Sequence, residues 1–432
     1  MMVPSSRLLW WAAAAALPAA AVAGFAPGAA ALAVAALAVW GAIAAVDFVR
    51  GFERIQKLDA RAPQSLRLTK DVPARLAVTI ENRSGRALRV RVGAVAPEGV
   101  ASEWLVQEAA APPGASRLEW PLTGTARGDH ALGELYVETP SPWGLWLASA
   151  TRKVDCTLRV YPNLRDRATA ALFLKTAYAG LRMRRLVGKG REFDNLRQYM
   201  PGDSFEDIHW KATARRAFPV VKLYRVEHAQ EVYAVIDSSR LSAREGILES
   251  YVNAALHLAL VAERQGDRFG LVTFSDRTHR LLRARSGMDH FRLCRETIYN
   301  LCPQRVSPDF REVFTSLQLN LRRRSLLVFF TSLDDALLAE TFEREVPLVA
   351  RRHLVLVNVT QTPGLKPLFQ GEPAAGVDAL YEGLAGQMLW NRMRRLAFAL
   401  QNHGVKLSIV DAERIKAQVA AAYLDVKRRQ AL

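Results

Sequence analysis

The first apolar pattern along the chain is a run without any charged residue, from position 8 to position 46. A single helix over this run would be about 58 Å long at ~1.5 Å per residue, which exceeds the roughly 30 Å hydrocarbon core of a membrane. Two shorter spans fit better, with residues 24–28 (GFAPG) as the turn between them. The sequence therefore predicts two transmembrane helices within residues 1–50.

The charges that flank these spans indicate their orientation. Arg7 precedes the first span, and the turn carries no lysine or arginine. The basic residues that follow the second span are Arg50, Arg54, Lys57 and Arg61. By the positive-inside rule both ends of the hairpin face the cytoplasm, together with everything after about residue 47. The alternative is a signal peptide cleaved after residues 21–23 (AVA), which would turn the remaining anchor the other way.

Between residues 51 and 162 the pattern changes to short stretches in which apolar and polar residues alternate. Turn signals separate these stretches, such as residues 82–85 (NRSG) and 112–114 (PPG). Many short strands with this punctuation predict an antiparallel β-sandwich of the immunoglobulin or fibronectin kind. No arrangement of side chains in this stretch is typical of catalysis.

From residue 231 to residue 432, short apolar runs alternate with amphipathic stretches of helical period. The apolar runs are EVYAVID, FGLVTF, SLLVFF, HLVLVNV and VKLSIV. Strands of this kind joined by crossover helices predict a Rossmann-like, doubly wound α/β sheet. No dinucleotide-binding glycine motif and no nucleophile elbow follows any of the strands.

The first of these runs ends at a candidate site. Asp237 directly follows the apolar residues 232–236, and Ser239 lies two positions later. Ligands of open α/β sheets bind at the carboxyl ends of the strands, so this carboxylate and hydroxyl could hold a hard cation such as Mg²⁺. The alternative is that both residues only cap the helical turn that follows.

Residues 163–230 link the sandwich to the α/β region and combine a basic cluster with a dense polar stretch. The basic cluster consists of Arg182, Arg184, Arg185, Lys189 and Arg191. Such a cluster either contacts phosphates or lipid headgroups or forms a solvated helix face. The polar stretch at 192–215 balances acids and bases, which favours a structural salt-bridge network, with acid/base chemistry at His209 as the alternative.

Composition and charge narrow the possible classes of partner. The formal net charge of +17 is compatible with nucleic acid, anionic lipid or an acidic protein surface. No helix-turn-helix and no RNA-binding aromatic motif is present, so a nucleic-acid partner is not expected. The 3 cysteines are an odd number without zinc-site spacing, which favours a reducing compartment.

With this order of segments the chain resembles the bacterial DUF58 family of membrane-anchored proteins that carry a von Willebrand factor A (vWA)-like domain. The stretch 192–215 carries the resemblance most specifically. Its matching signature positions are Arg197, Tyr199, Gly202, Asp203, Ile208, Trp210, Lys211, Ala214 and Arg215. The resemblance implies a two-span protein of the bacterial inner membrane whose sandwich and vWA-like domain face the cytoplasm.

The same resemblance allows the candidate metal site to be compared with the complete metal site of vWA domains. A vWA metal-ion-dependent adhesion site (MIDAS) takes Asp-x-Ser-x-Ser from the first strand end, a threonine from a middle loop and an aspartate after a later strand. Asp237 and Ser239 match, whereas leucine stands at the third position of the motif. Ser307 is the best counterpart of the threonine, and Ser332 stands where the aspartate would fall. We therefore expect a degenerate site, with weak Mg²⁺ binding left open.

The family resemblance also implies partners. DUF58 proteins are often associated with a MoxR-type AAA+ ATPase, and the pair is thought to act in protein maturation or in the assembly of a complex. The expected function is a non-enzymatic, membrane-anchored adaptor that binds this ATPase and a client protein. Two alternatives stay open: a metal-assisted hydrolase that uses Asp237, Ser239 and His209, and a basic surface that binds anionic lipid.

Overall fold

The computed structural model describes residues 1–25, 27–103, 106–164, 187–225, 229–244, 246–361 and 377–429. The chain divides into two compact units, Met1–Asn163 and Leu164–Leu432. The basic cluster predicted at 182–191 lies largely outside the described residues.

The first unit begins with a short strand, β1 (Met2–Pro4), and two apolar helices, α1 (Ser6–Phe25) and α2 (Ala30–Gln56). α2 is long and apolar enough to cross a membrane. Within α1, the stretch Ser6–Val22 is apolar but shorter. Trp10 and Leu32 are 78% and 74% exposed. Large apolar side chains left uncovered along such a helix are typical of a surface that faces lipid rather than water.

Two sheets of the first unit enclose one apolar core. Their strands are β2 (Leu58–Arg61), β3 (Ser65–Thr69), β4 (Pro73–Asn82), β5 (Leu88–Ala94), β6 (Val100–Ala101), β7 (Val106–Ala111), β8 (Gly114–Gly124), β9 (Gly128–Pro140) and β10 (Trp146–Tyr161). One sheet has the order β1-β10-β9-β5-β7, with β3 parallel to β10, and the other has the order β2-β4-β8-β6. All other pairings in these two sheets are antiparallel.

The alternation read from the sequence explains how this core forms. In β4 the inward residues Leu76, Val78 and Ile80 are buried, while their neighbours in the strand are more exposed. Side chains of period two lie on one face of a strand, so each sheet has one apolar face. Trp120 of β8 and Val90 of β5 belong to the same cluster, which places the two apolar faces against each other.

The second unit opens with a small antiparallel pair, β11 (Val187–Gln198) and β12 (Val220–Arg225). Between these strands lie a 3₁₀ turn at Phe205–Asp207 and the helix α3 (Trp210–Arg216). The family-signature positions therefore all fall on this hairpin and on the segment that connects its strands.

The rest of the second unit is an α/β layer structure. Its elements are β13 (Glu231–Asp237), α4 (Ile247–Arg264), β14 (Arg268–Phe274), β15 (Thr278–Arg285), α5 (Met288–Ile298), α6 (Phe310–Asn320), β16 (Leu326–Thr331), α7 (Ala336–Glu345), α8 (Pro347–Ala350), β17 (Leu354–Thr360), α9 (Val377–Asn402), β18 (Lys406–Val410) and α10 (Ile415–Arg428). The sheet order is β15-β14-β13-β16-β17-β18. Only β15 runs antiparallel to its neighbour.

Helices cover both faces of this sheet. α4, α5 and α10 pack on one face, and α6, α7, α8 and α9 pack on the other. Because the central strands are buried on both sides, they are apolar throughout: every residue of β16 is buried. The α/β region expected from the alternating pattern is thus observed, with β15 as an added antiparallel edge strand.

Two buried histidines of this unit should make its stability depend on pH. Burial lowers the pKa of His257 and of His353 to about 4, helped by Lys416 and Arg264 near the former and by Arg352 near the latter. An unfolded histidine binds its proton near pH ~6.5, so the unfolded state gains protons first as the pH falls. Stability should decrease below about pH 6.5 and level off near about pH 4, with a loss of about 2 kcal/mol per histidine at about pH 5.

Urea unfolding at a series of pH values measures this effect. The variant His353→Leu should flatten the slope between neutral and acidic pH, because the group that binds a proton in the unfolded state is gone. A slope that is unchanged in both His353→Leu and His257→Leu would contradict the assignment.

Candidate functional site

The candidate site lies where the strand order of the α/β sheet reverses. From β13 the chain adds β14 and β15 on one side, and it later adds β16, β17 and β18 on the other. The crevice between the carboxyl ends of β13 and β16 is therefore the switch point at which open α/β sheets bind ligands. Asp237 ends β13 and Thr331 ends β16, so the sequence placed its first candidate residue at this crevice.

Asp237 is fully buried and its carboxylate is occupied within the protein. Thr331 Oγ1 donates to Asp237 Oδ2 at 2.6 Å, and the Ser239 N–H donates to Oδ1 at 2.8 Å. Burial raises the pKa of this carboxyl, and the hydrogen bonds oppose that shift without cancelling it. Asp237 therefore joins the ends of two neighbouring strands, and both of its oxygens already accept hydrogen bonds.

Ser239 starts the next turn of the chain. Its Oγ accepts from the Leu241 N–H at 3.3 Å, as a cap of the 3₁₀ helix at Arg240–Ser242. Ser239 therefore caps the turn, as the alternative interpretation of Asp237 and Ser239 proposed. Asp237 instead accepts a hydrogen bond from Thr331 on the neighbouring strand. Ser239 is itself buried, which keeps its hydroxyl away from the surface of the crevice.

The other two predicted ligands lie in separate loops that meet the crevice. Ser307 Oγ accepts from Arg240 Nε at 3.0 Å. Ser332 follows β16 and is buried. The two carboxylates after it face arginines of the β13 loop: Arg240 Nη2 lies 3.1 Å from Asp335 Oδ2, and Arg244 Nη1 lies 2.8 Å from Asp334 Oδ2.

These residues do not fit a MIDAS-type cation. A hard cation needs several oxygens directed at one point, with carboxylates among them. The oxygens of Asp237 are bonded to Thr331 and Ser239, and the hydroxyl of Ser307 accepts from a guanidinium. Within the described ranges no group of three or more His, Cys, Asp or Glu side chains could hold a metal ion.

Substitution of Asp237 separates a structural role from metal binding. Asp237→Asn keeps an acceptor for the Ser239 N–H and removes a carboxyl that is costly to bury, so we expect a change in unfolding free energy within about 1 kcal/mol. Asp237→Ala leaves the Ser239 N–H without this acceptor and the Thr331 hydroxyl with only the long contact to the Ser332 carbonyl, and should cost about 2–3 kcal/mol. Chemical denaturation of the two variants measures the difference, and an equal, large loss in both would contradict this account.

A second polar network at the same edge was not found from the sequence. Ser275, directly after β14, is buried, and its Oγ lies 2.6 Å from His279 Nε2, 2.7 Å from Asp276 Oδ1 and 3.0 Å from Gln304 Oε1. These three side chains resemble a Ser-His-Asp triad. However, Asp276 Oδ1 lies 3.8 Å from His279 Nε2, which is the same ring nitrogen that contacts Ser275. In a catalytic triad the acid binds the other ring nitrogen of the histidine. This network therefore holds the loop after β14 in place instead.

The signature residues form a compact hairpin of their own. Arg197 Nη2 donates to Asp203 Oδ1 at 2.5 Å, and the Met200 N–H donates to Asp203 Oδ2 at 2.9 Å. Gly202 has φ of 106°, a backbone conformation that favours glycine. The turn at 200–203 is therefore closed by an arginine–aspartate pair inside the segment, and the pKa of Asp203 is lowered by the Met200 N–H and by Arg197.

The remaining signature residues divide between the interior and the surface of this hairpin. Ile208 is buried and pairs with Val221, while Tyr199 stacks on Phe205 at 5.7 Å between ring centroids. Trp210 is 70% exposed at the start of α3. Lys211, Ala214 and Arg215 are exposed on the same helix. His209, the acid/base candidate, caps this helix by accepting from the Ala212 N–H at 3.1 Å.

A third constellation joins the apolar helix α2 to the sandwich. Asp47 is fully buried and accepts from Ser141 Oγ at 2.5 Å, from the Trp143 N–H at 2.9 Å and from the Leu145 N–H at 3.2 Å. These donors belong to the turn between β9 and β10. In the sequence Asp47 only marked the end of the uncharged run, and its partners lie more than 90 positions away.

Comparison with known proteins supports a family assignment. Residues 195–366 match the family model "Protein of unknown function DUF58". No curated protein matches the chain. This match confirms the DUF58 resemblance predicted from the signature, and the matched range includes most of the hairpin and the switch-point crevice.

Solved structures show only distant similarity. The conserved hypothetical protein BatB from Bacteroides thetaiotaomicron is 14% identical, with 46% of this chain and 99% of that chain covered and a TM-score of 0.28. An aerotolerance-related membrane protein from Bacteroides fragilis NCTC 9343 is 13% identical, with 46% and 99% covered and a TM-score of 0.28. Proximal thread matrix protein 1 from the mussel byssus is 12% identical, with 45% of each chain covered and a TM-score of 0.26.

Proposed function

We propose that this protein is a membrane-anchored adaptor that binds other proteins through the carboxyl edge of a vWA-like α/β domain, in concert with a MoxR-type AAA+ ATPase. The observation that carries the proposal is the switch-point crevice. Loops from β13, β14 and β16 meet there and are fixed by hydrogen bonds and ion pairs. Its buried hydroxyls and carboxylate are engaged in joining these loops, which favours recognition over chemistry.

Affinity purification from native membranes tests the partner. The full-length protein should bring down an AAA+ ATPase, and Arg244→Glu should weaken that recovery, because it places a second acid against Asp334 at the exposed edge. Arg292→Glu is the matched control, since Arg292 lies in an exposed pair with Asp289 on α5. Failure to recover any AAA+ ATPase with the wild-type protein would remove the ATPase from the proposal.

We further propose that α1 and α2 form two spans whose outer ends lie on the same side of the membrane. β1, which precedes α1, pairs with the start of β10, as in Met2 with Ala148. The second half of α2 meets the same region, where Trp146 Nε1 donates to the Ala44 carbonyl at 2.9 Å. A hairpin whose two outer parts meet one strand supports two spans, and the basic residues in the last turns of α2 and just after it support a cytoplasmic sandwich.

Single-cysteine labelling tests this topology in a cysteine-free background. Gly28→Cys in the connecting turn should react with a membrane-impermeant maleimide added to intact spheroplasts, because the turn faces outward. Ser84→Cys in a sandwich turn should react only after lysis. Labelling of Ser84→Cys in intact spheroplasts would favour the cleaved-signal alternative instead.

The membrane end of the sandwich also supports contact with anionic lipid as a secondary role. The Arg50 guanidinium lies 5.6 Å from the centre of the half-exposed Trp143 ring. A tryptophan beside an arginine at the end of an apolar helix is typical of the headgroup region. Reconstitution in vesicles with and without phosphatidylglycerol tests this role, with the expectation that Arg50→Gln lowers proteolytic protection of the 141–145 turn only in the anionic vesicles.

A further inference from the structure

One side chain joins three loops at the switch-point crevice. Arg240 lies in the loop after β13 and donates from Nε to Ser307 Oγ at 3.0 Å, in the loop before α6. Its Nη2 donates to Asp335 Oδ2 at 3.1 Å, in the loop after β16. The Arg240 N–H donates to the Val306 carbonyl at 2.9 Å. The main chain and the side chain of Arg240 therefore both bind the loop that precedes α6.

We propose that the Arg240 guanidinium performs the structural task that a divalent cation performs in a MIDAS, and that this edge keeps its shape without a metal ion. The three loops that Arg240 connects are those from which a MIDAS would draw its oxygens. This proposal goes beyond the adaptor function and holds whichever protein binds the edge.

The chemistry of the guanidinium fits this task. Arginine stays charged at every accessible pH and presents its donors in a rigid fork, so it can bind a hydroxyl and a carboxylate in two directions at once. A metal ion has no such geometric restriction, but it needs oxygens that are free to coordinate it. Ser307 and Asp335 direct theirs at Arg240 instead.

Charge compensation at the edge is consistent with the same conclusion. Asp334 and Asp335 are the carboxylates that follow β16 near the crevice, and each is paired with an arginine of the β13 loop, at 2.8 Å and 3.1 Å. A divalent cation placed among these pairs would repel two guanidinium groups. Asp237, which ends β13, faces the interior and accepts hydrogen bonds from Thr331 and Ser239.

The test uses the full-length protein in detergent and three variants. Arg240→Met removes the guanidinium and keeps much of the aliphatic chain. Arg240→Lys keeps the charge but loses the fork. Arg292→Met removes an exposed arginine that pairs with Asp289 within α5, and serves as the matched control. The readouts are hydrogen exchange by mass spectrometry, thermal unfolding, and Mn²⁺ binding by titration calorimetry.

We expect Arg240→Met to speed exchange in residues 305–309 and 333–337 together and to lower the unfolding temperature by about 2 °C, because one half-exposed pair contributes little to global stability. Arg292→Met should leave both segments unchanged. Arg240→Lys should show a smaller increase in exchange, and it serves in place of Arg240→Met if that variant does not fold. The wild-type protein should bind no Mn²⁺ at millimolar concentration.

Two results would overturn the proposal. One is stoichiometric Mn²⁺ binding by the wild-type protein that is lost in Asp237→Asn, which would show that the crevice is a metal site after all. The other is wild-type exchange rates at both loops in the Arg240 variants, which would show that the guanidinium does not hold them. Neither result depends on recovery of an ATPase, so the adaptor function is tested separately.

Discussion

Asp267→Ala should lower the free energy of unfolding of the second unit by about 3–5 kcal/mol, because it breaks a buried ion pair. Asp267 is 1% exposed and precedes β14. It accepts from Lys427 Nζ at 2.9 Å, from the Gln230 N–H at 3.1 Å and from the Tyr423 hydroxyl. Without the carboxylate, a phenol and a backbone N–H lose their acceptor, and a largely buried ammonium keeps the Gln265 carbonyl but loses its counter-charge.

Urea unfolding followed by circular dichroism measures this loss. Asp425→Ala is the matched control on α10, because Asp425 pairs with Arg429 at 3.0 Å in a more exposed position and should change stability by less than about 1 kcal/mol. Lys427→Met should fall between the two, since it removes the cation and leaves Tyr423 as a donor to Asp267. Equal effects of Asp267→Ala and Asp425→Ala would mean that the pair does not fix α10 to the sheet.

Asp47→Ala should destabilise the first unit by about 3 kcal/mol or more. The turn between β9 and β10 directs two backbone N–H groups and the Ser141 hydroxyl at this carboxylate. Each buried donor left without an acceptor costs about 1–3 kcal/mol. The loss should be local, so exchange of the Trp143 and Leu145 amides should rise most.

Hydrogen exchange in detergent micelles measures this prediction. Asp47→Asn should have an intermediate effect, because the amide oxygen still accepts while the amide nitrogen meets a donor. Glu53→Ala, an exposed acid on the same helix, should leave exchange of the turn unchanged. Unaltered exchange of Trp143 and Leu145 in Asp47→Ala would show that the carboxylate does not hold the turn.

Asp47 and the end of α2 both contact the sandwich. The turn at 141–145 binds Asp47 through its backbone, and Arg152 of β10 donates to the Ile55 carbonyl at 3.1 Å at the end of α2. Two points along one helix are thus tied to neighbouring segments of the sandwich.

The sequence placed Asp237 at the end of a strand, but it decided neither the strand order nor the chemistry at that point. Asp237 follows an apolar run, and this pattern alone places it at the carboxyl end of a buried strand. Whether such a carboxylate faces a cation or the interior depends on its neighbours in space. Thr331 lies 94 positions away, and Arg240 reaches Asp335 across 95 positions. No spacing rule along the chain reports contacts at that distance.

The network around Ser275 was missed for a different reason. Ser275, Asp276 and His279 are close in sequence, but their residue types are common in a tight turn between strands. Only Gln304, which enters from another loop, shows that the turn is clamped at the crevice. The signature hairpin differs in this respect. Arg197 and Asp203 are six positions apart, so their ion pair is a local contact within one turn.

By itself the sequence determined the apolar helices, the two-residue period of the sandwich strands, the alternation of the α/β region and the DUF58 signature. These features depend on how each residue meets its near neighbours and on which side of an element is apolar. Only the tertiary structure decided that Asp47 caps a turn of the sandwich and that Arg240 joins the loops of the crevice. The physical reason is that polar side chains are satisfied by whichever partners the fold brings within hydrogen-bond distance, and those partners come from distant segments.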